Sequence, residues 1–288
     1  MKLHNIHLGN FKLDGGAMFG VVPKSIWHKL VPSDENNLCT WALRCLLVEH
    51  ENRKILIDTG CGDKQDEQFF KHYHMTNTQT IDQALEKIGY HPNDITDVIL
   101  THLHFDHCGG AIINNNGRFE LSCPNATYWV SETQWDTATH PNRREKASFL
   151  KENIEPLLLS GKLKIITLPI FQGQKELQEI PFNDAISLLI VNGHTQGMML
   201  PKIKYQDKTI VYVADLLPSV AHLPIPYVMG YDMQPLLTLH EKEVFLQEAL
   251  EKNYILYFEH DALNECCTLH QTEKGIRVNE IFNLSTIC

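Results

Sequence analysis

The stretch Thr101-His102-Leu103-His104-Phe105-Asp106-His107-Cys108-Gly109-Gly110 places three imidazoles and one carboxylate within six residues. Immediately upstream, Thr96-Asp97-Val98-Ile99-Leu100 is β-branched and apolar, which predicts a buried strand. Gly109 and Gly110 predict a tight turn or a close backbone approach. Residues two apart on an extended backbone share a face, so His102 and His104 point to one side. Asp106 and His107 lie past the bend and can face a second, adjacent position, an arrangement that suits two metal ions rather than one. A lone histidine is more often a hydrogen-bonded core or surface residue than a ligand, and this chain has 16. Four ligand-type side chains packed at a strand end are much harder to explain that way.

Ligand-type residues recur beyond other strand ends. The β-branched run Ala185 to Val191 leads into Gly193-His194-Thr195, Thr209 to Val213 into Ala214-Asp215-Leu216, and Tyr254 to Phe258 into Glu259-His260-Asp261. Taken singly, each reads as structural more readily than as a ligand. Jointly with the cluster they supply five imidazoles and two carboxylates. Such a nitrogen and oxygen set suits two divalent ions, zinc first and manganese, iron or cobalt as alternatives. Two metals sharing seven ligands require one bridging carboxylate, and Asp215, alone on its strand end, is the candidate. A further carboxylate, Asp58, ends the hairpin formed by Thr40 to Glu49 and Arg53 to Ile57; it reads as a turn former or as a group that orients a ligating imidazole.

The rest of the chain predicts ordinary mixed secondary structure. The first ten residues form an edge strand. Thr78 to Ile88 is a helix closed by Gly89, and Thr127 to Val130 is a strand followed by Ser131 as a helix cap. Residues 145 to 160 form a helix that Pro156 kinks and Gly161 stops. Leu163 to Leu168 is a strand and Leu239 to Leu250 a helix. Phe11 to Asn37 reads as a long loop whose aromatics line a pocket, meet a second copy of the chain or fold over a satellite apolar cluster. No repeat, low-complexity tract or linker divides the chain, so residues 1–288 are expected to form a single domain.

Composition narrows the class. A length of 288 residues with 43% hydrophobic residues is ample for a core, and a mean hydropathy of -0.23 is ordinary for a soluble protein. No run approaches a membrane span. A net charge of -10 without a Lys/Arg cluster argues against a nucleic-acid partner. Eight cysteines with no CxxC pair, behind an N-terminus lacking a secretory h-region, predict free thiols and a cytoplasmic location.

The order Asp58-Thr59-Gly60, His102-x-His104-x-Asp106-His107, His194, Asp215 and His260 resembles that of metallo-β-lactamase-superfamily hydrolases over nearly the whole chain. Ala214-Asp215-Leu216-Leu217-Pro218, Met229-Gly230-Tyr231-Asp232, Phe258-Glu259-His260-Asp261 and Leu13-Asp14-Gly15-Gly16-Ala17-Met18-Phe19-Gly20 are similar to the quorum-quenching lactonase-like group (YtnP-type proteins and acyl-homoserine lactonases). The resemblance implies an α/β fold, a four-layer αβ/βα sandwich. It implies His102, His104 and His194 on one metal, Asp106, His107 and His260 on the other, Asp215 bridging, and Asp58 supporting them. Two departures stand out: Met198 occupies the place of the family's second histidine in the His194 motif, and Pro218 the place of a tyrosine found in some acyl-homoserine lactonases.

The implied reaction is lactone opening by water activated between the metals. Asp106 would return a proton to the leaving group, and Tyr231 would stand in for the missing tyrosine. Met18, Phe19, Phe105, Leu217 and Tyr231 are the candidate pocket wall. A small-molecule lactone or ester is the expected partner, with no nucleic acid and no membrane, and relatives of this kind suggest a homodimer. Phosphotriesterase or other carboxylester and thioester hydrolysis is the alternative. A glyoxalase II-type enzyme would need a helical domain after His260, and a Cys-ligand β-lactamase a cysteine at Asp215. A metal-binding protein without catalysis is the reading from a different class, which the complete ligand set disfavours.

Overall fold

The computed structural model describes residues 1–170 and 176–288. They form two compact units, one comprising residues 1–11, 43–168 and 288, the other residues 12–42 and 169–287.

In the first unit, β1 (Lys2–Asp14), β2 (Leu38–His50), β3 (Arg53–Ile57) and β4 (Asp97–Ile99) begin a six-stranded sheet. A separate hairpin, β5 (Ile112–Asn115) with β6 (Arg118–Leu121), follows, and then β7 (Thr127–Ser131) and β8 (Leu163–Ile166) complete that sheet in the order β1-β2-β3-β4-β7-β8. β1 and β2 run on into the second unit along their own length. β3, β4, β7 and β8 are mutually parallel, so their C-terminal ends emerge at one edge, where parallel α/β sheets place their ligands. Ile55, Leu56, Ile57, Val98, Ile99 and Leu100 have no exposed surface. Each apolar side chain so buried contributes roughly 1.5–3 kcal/mol, which anchors the strand ends from below.

The second unit holds a seven-stranded sheet built from β9 (Gln178–Pro181), β10 (Ile186–Val191), β11 (Met198–Tyr205), β12 (Lys208–Tyr212), β13 (Ile255–Tyr257), β14 (Cys266–Thr272) and β15 (Gly275–Phe282). Their order is the reverse of the chain, β15 to β9. β10 is antiparallel to β11 and β11 to β12, while β12 is parallel to β13. Therefore β10, β12 and β13 all run the same way and end at the same edge of this sheet. Helix Pro235–Glu251 connects β12 to β13, the crossover that a parallel pair requires.

The predicted edge strand, hairpin, β4 and β7 are present, and Ser131 caps helix Glu132–Thr139 by accepting from the Gln134 N–H at 3.1 Å. Thr80 caps the short helix Ile81–Glu86 in a reciprocal capping box with Gln83. Two expectations are corrected. Phe11 to Asn37 is not one loop: β1 continues to Asp14, and helices Gly15–Phe19 and Lys24–Trp27 follow. The single helix expected over 145–160 is a 3₁₀ turn, Lys146–Ser148, and a separate helix, Lys151–Leu159, with Pro156 inside it. The polar segment around Asn114 to Gly117 is the turn of the β5–β6 hairpin. No helix among the described residues is long and apolar enough to cross a membrane, and all eight cysteines are free.

Candidate metal centre

The first unit assembles Asp58, His102, His104, Asp106 and His107 at the parallel edge of its sheet. β3 ends at Asp58, whose backbone takes the left-handed conformation (φ 57°) that aspartate tolerates better than most residues. Its buried carboxylate accepts from the Thr101 N–H at 2.7 Å, from Thr101 Oγ1 at 2.7 Å and from His107 Nδ1 at 3.1 Å. Because the Thr101 hydroxyl proton goes to Asp58, Thr101 Oγ1 accepts from His102 Nδ1 at 3.1 Å. His104 donates from Nε2 to Glu145 Oε1 at 3.2 Å. The three imidazoles face one another, with the His102 ring centroid 3.9 Å from His107 and 4.6 Å from His104. Asp106 Oδ2 lies 3.8 Å from His107 Nε2.

The two glycines after the cluster let the chain fold back on β3. A Cβ on Gly110 would stand 2.1 Å from Thr59 O, and one on Gly109 2.1 Å from Cys61 O. Thr59 N–H and Oγ1 both donate to His107 O, at 2.8 and 2.9 Å. Cys108 is a packing residue: it is fully buried, its Sγ donates to Leu103 O at 3.3 Å, and burial pushes its thiol up to about 12.

The second unit assembles His194, Asp215 and His260 at the ends of β10, β12 and β13. Asp215 stands between the two imidazoles, with Oδ2 3.1 Å from His194 Nε2 and Oδ1 3.2 Å from His260 Nε2. His194 Nδ1 donates to Asp232 Oδ1 at 3.0 Å, and His260 Nδ1 to Ala42 O at 2.8 Å. Burial opposes charge on His194, yet Asp215 and Asp232 on its two nitrogens raise its pKa to about 10. The two carboxylates favour positive charge beside that ring, which a cation bound at Nε2 would supply in place of a proton. The turn itself is clamped to helix Pro235–Glu251: Glu241 accepts from the Asn192 and Gly193 N–H groups at 2.6 and 2.9 Å, and Gly193 O accepts from Gln234 N at 2.8 Å. Gly193 is required there, since a Cβ would meet Thr238 N at 2.5 Å.

These donors fit divalent cations. Each of the five imidazoles has one nitrogen anchored by a protein oxygen, which leaves the other nitrogen as the lone-pair donor, the usual construction around a metal-ligating histidine. Glu145, Asp232, Thr101 and Glu241 hold these imidazoles or their turns and were not singled out from sequence; an acidic or hydroxyl side chain carries no such signal on its own. Met198 begins β11 in the buried core, so the family's second histidine is replaced by a packing residue. The expected pocket wall is largely interior. Met18, Phe19, Leu217 and Phe105 are buried, Phe19 stacking on Trp27 and on His222 at 5.4 and 4.6 Å, and Phe105 packing on Phe69 and Tyr73. Of the five, only Tyr231 is well exposed, at 38%.

Residues 44–113 match the metallo-β-lactamase superfamily. An N-acyl homoserine lactonase of Bacillus thuringiensis is 28% identical over 278 residues, covering 92% of this chain and 94% of its own. A protein of Mycobacterium tuberculosis described as a probable metallo-hydrolase is 35% identical over 187 residues, 60% of this chain and 57% of its own. Among solved structures, one described as a probable metal-dependent hydrolase of Staphylococcus aureus superposes with a TM-score of 0.86 at 26% identity, over 98% of this chain and 96% of the other. A dizinc quorum-quenching lactonase bound to a hexanoyl-homoserine product gives a TM-score of 0.75 at 22% identity, over 98% and 95%. The chain has the metallo-β-lactamase fold, and the relatives it matches along nearly their full length are a lactonase and a probable metal-dependent hydrolase.

Proposed function

We propose that the chain is a dinuclear-metal lactonase that opens acyl-homoserine lactones or closely similar lactones, its two units working as one catalytic domain. The observation that carries this reading is the anchoring of one nitrogen on every one of the five imidazoles, together with an Asp215 whose two oxygens each face a different Nε2. Similarity to an N-acyl homoserine lactonase along nearly the full length of both chains supports the substrate class.

In this reading His102, His104 and His194 would hold one ion and Asp106, His107 and His260 the other, with Asp215 available to both. Zinc is favoured by a nitrogen-rich set of this kind. Two bound divalent cations supply acidified water and positive charge to polarise a carbonyl. The protein residues do the rest. Asp58, Glu145 and Asp232 fix the ring orientations of His107, His104 and His194. Asp106 holds a proton beside the ligands and returns it to the alkoxide leaving group. Tyr231, exposed one residue before Asp232, reaches the carbonyl side of the substrate in place of the tyrosine that Pro218 replaces. Quorum quenching in a reducing cytoplasm is the matching role, consistent with eight cysteines that form no disulfide.

The test is a panel on the zinc-reconstituted protein: butanoyl- to dodecanoyl-homoserine lactones, paraoxon, a thioester and a β-lactam, with acid release followed by indicator. The lactones should lead by at least about a hundredfold in kcat/KM. A higher value for paraoxon would replace this reading with phosphotriesterase activity.

A further inference from the structure

Next to Glu241 on helix Pro235–Glu251 stands a second buried charge, Lys242, with no exposed surface. Its ammonium donates to Tyr227 O at 2.8 Å, Pro224 O at 3.1 Å and Ile225 O at 3.2 Å. An ammonium has three N–H donors, and here each has one carbonyl. Among the described residues no carboxylate lies within ion-pair distance of it. Burial accordingly pushes its pKa down to about 7, with the charge of Asp232 working the other way.

A buried amine without a counter-ion is a costly way to fill space, and a methionine of similar volume would fill it without the desolvation penalty. What a methionine cannot do is hold three carbonyls. Those carbonyls belong to the segment Leu223-Pro224-Ile225-Pro226-Tyr227, where two prolines remove backbone donors. A hollow of about 360 Å³ lies against the segment, lined by Leu223, Pro224, Ile225, Pro226, Leu246 and Ile276 among others. Backbone turns (Tyr227 N to Pro224 O at 2.9 Å, Val228 N to Pro226 O at 3.1 Å) and a Tyr227–Phe19 ring contact order the segment from within, and the ammonium ties three of its carbonyls to the helix.

The segment continues through Val228 into Met229-Gly230-Tyr231-Asp232. Its far end is pinned at the ligand turn: Asp232 takes His194 Nδ1 on one oxygen and the Met229 N–H at 3.2 Å on the other. Gly230 N donates to Ala17 O at 2.7 Å, and Met233 N to His194 O at 3.1 Å. Tyr231 therefore sits on a strap tied at one end to His194 and at the other to Lys242. Adjacent residues of one helix divide the labour, with Glu241 holding the ligand turn and Lys242 holding the strap that leads to it.

We propose that Lys242 is a specificity-setting positioning residue: its ammonium fixes the strap 223–231, and through it the placement of Tyr231 against the bound substrate. The proposal rests on the reading of this region as the lactone site. It separates substrate fit from metal binding, which Lys242 does not touch.

The experiment compares full-length, zinc-loaded wild type with Lys242→Met and with the conservative Lys242→Arg. Hydrogen exchange of peptides covering 223–231 is read first. It should be about tenfold faster in Lys242→Met, with the β10–β13 strands unchanged, and largely restored in Lys242→Arg. Across butanoyl- to dodecanoyl-homoserine lactones, KM should rise about tenfold and preference among chain lengths should flatten, while zinc content stays near wild type. Wild-type exchange together with wild-type KM in Lys242→Met would overturn the proposal, as would loss of zinc in parallel with KM. Should Lys242→Met fail to fold, Lys242→Gln, which keeps two N–H donors, decides on the same exchange criterion. If wild type hydrolyses no lactone at all, the proposed function falls, and the exchange result still judges the tether.

Discussion

Replacing Asp58 by asparagine keeps the shape of the side chain and removes its charge. Asparagine also tolerates the left-handed backbone at this position, so the change probes hydrogen bonding rather than strain. Three donors converge on the carboxylate: the Thr101 N–H on Oδ1, and Thr101 Oγ1 with His107 Nδ1 on Oδ2. An amide oxygen placed at the Oδ2 position retains two of them and turns an NH₂ toward the Thr101 N–H. The Thr101 N–H then faces another donor, the new NH₂, and loses its acceptor, which costs at least about 1–3 kcal/mol. The two remaining bonds lose their charge assistance, on the order of 1 kcal/mol more. The metal-free variant should therefore lose roughly 2–4 kcal/mol in urea denaturation. His107, no longer held by an anion, should bind metal about 10–100-fold more weakly, equivalent to roughly 1.4–2.7 kcal/mol. Competition with a chromogenic zinc chelator reads the affinity. A variant that holds zinc like wild type would show that Asp58 does not orient His107, and the reasoning about the ring anchors would fall with it.

Asp215→Ala and His104→Ala should each lose zinc and lactonase activity together, checked by elemental analysis beside turnover; full activity in either would refute the assigned ligand set. Gly110→Ala should lower stability by about 2–3 kcal/mol through collision with the Thr59 carbonyl, a steric cost with no φ component; a wild-type denaturation midpoint would contradict the close approach of the two backbones. His222 should make the protein acid-labile. It is buried, donates from Nε2 to Met18 O at 2.9 Å and accepts from Ser219 Oγ at 2.8 Å. Burial lowers its pKa from 6.5 to about 3. The unfolded chain takes up a proton below pH 6.5 that the folded chain refuses until about pH 3, so the stability it lends is complete above 6.5 and drains away as pH falls toward 3. Between pH ~7 and ~5 wild type should lose about 2 kcal/mol more than His222→Gln in urea titrations; equal losses would contradict this.

The proposed ligands stand out in the sequence because strand ends announce themselves. β-branched runs stop at His102, His194, Asp215 and His260, and a parallel arrangement brings such ends to one sheet edge. Missed strands have a shared cause. β14 and β15 are largely half-exposed and polar in part, and β11 carries Pro201 and alternating lysines, so neither shows the apolar run that marked the others. The N-terminal helices Gly15–Phe19 and Lys24–Trp27 are four or five residues long, too short for a helical period to declare itself. Helix Pro235–Glu251 did carry a readable signal that went unused. Thr238, Lys242, Phe245 and Ala249 recur at the spacing of one face and all are buried, which places a lysine among core positions and asks why it is there. The pocket wall misled because aromatic content alone does not separate lining from core. Phe19 is held between Trp27 and His222.

Anomalous diffraction from crystals of zinc-loaded protein tests the central claim most directly. The account predicts two peaks about 3.5–4 Å apart, one bonded to His102, His104 and His194 and the other to Asp106, His107 and His260, at roughly 2.0–2.2 Å, with an Asp215 oxygen on each. A single peak, or peaks that leave out His194, Asp215 or His260, would contradict it.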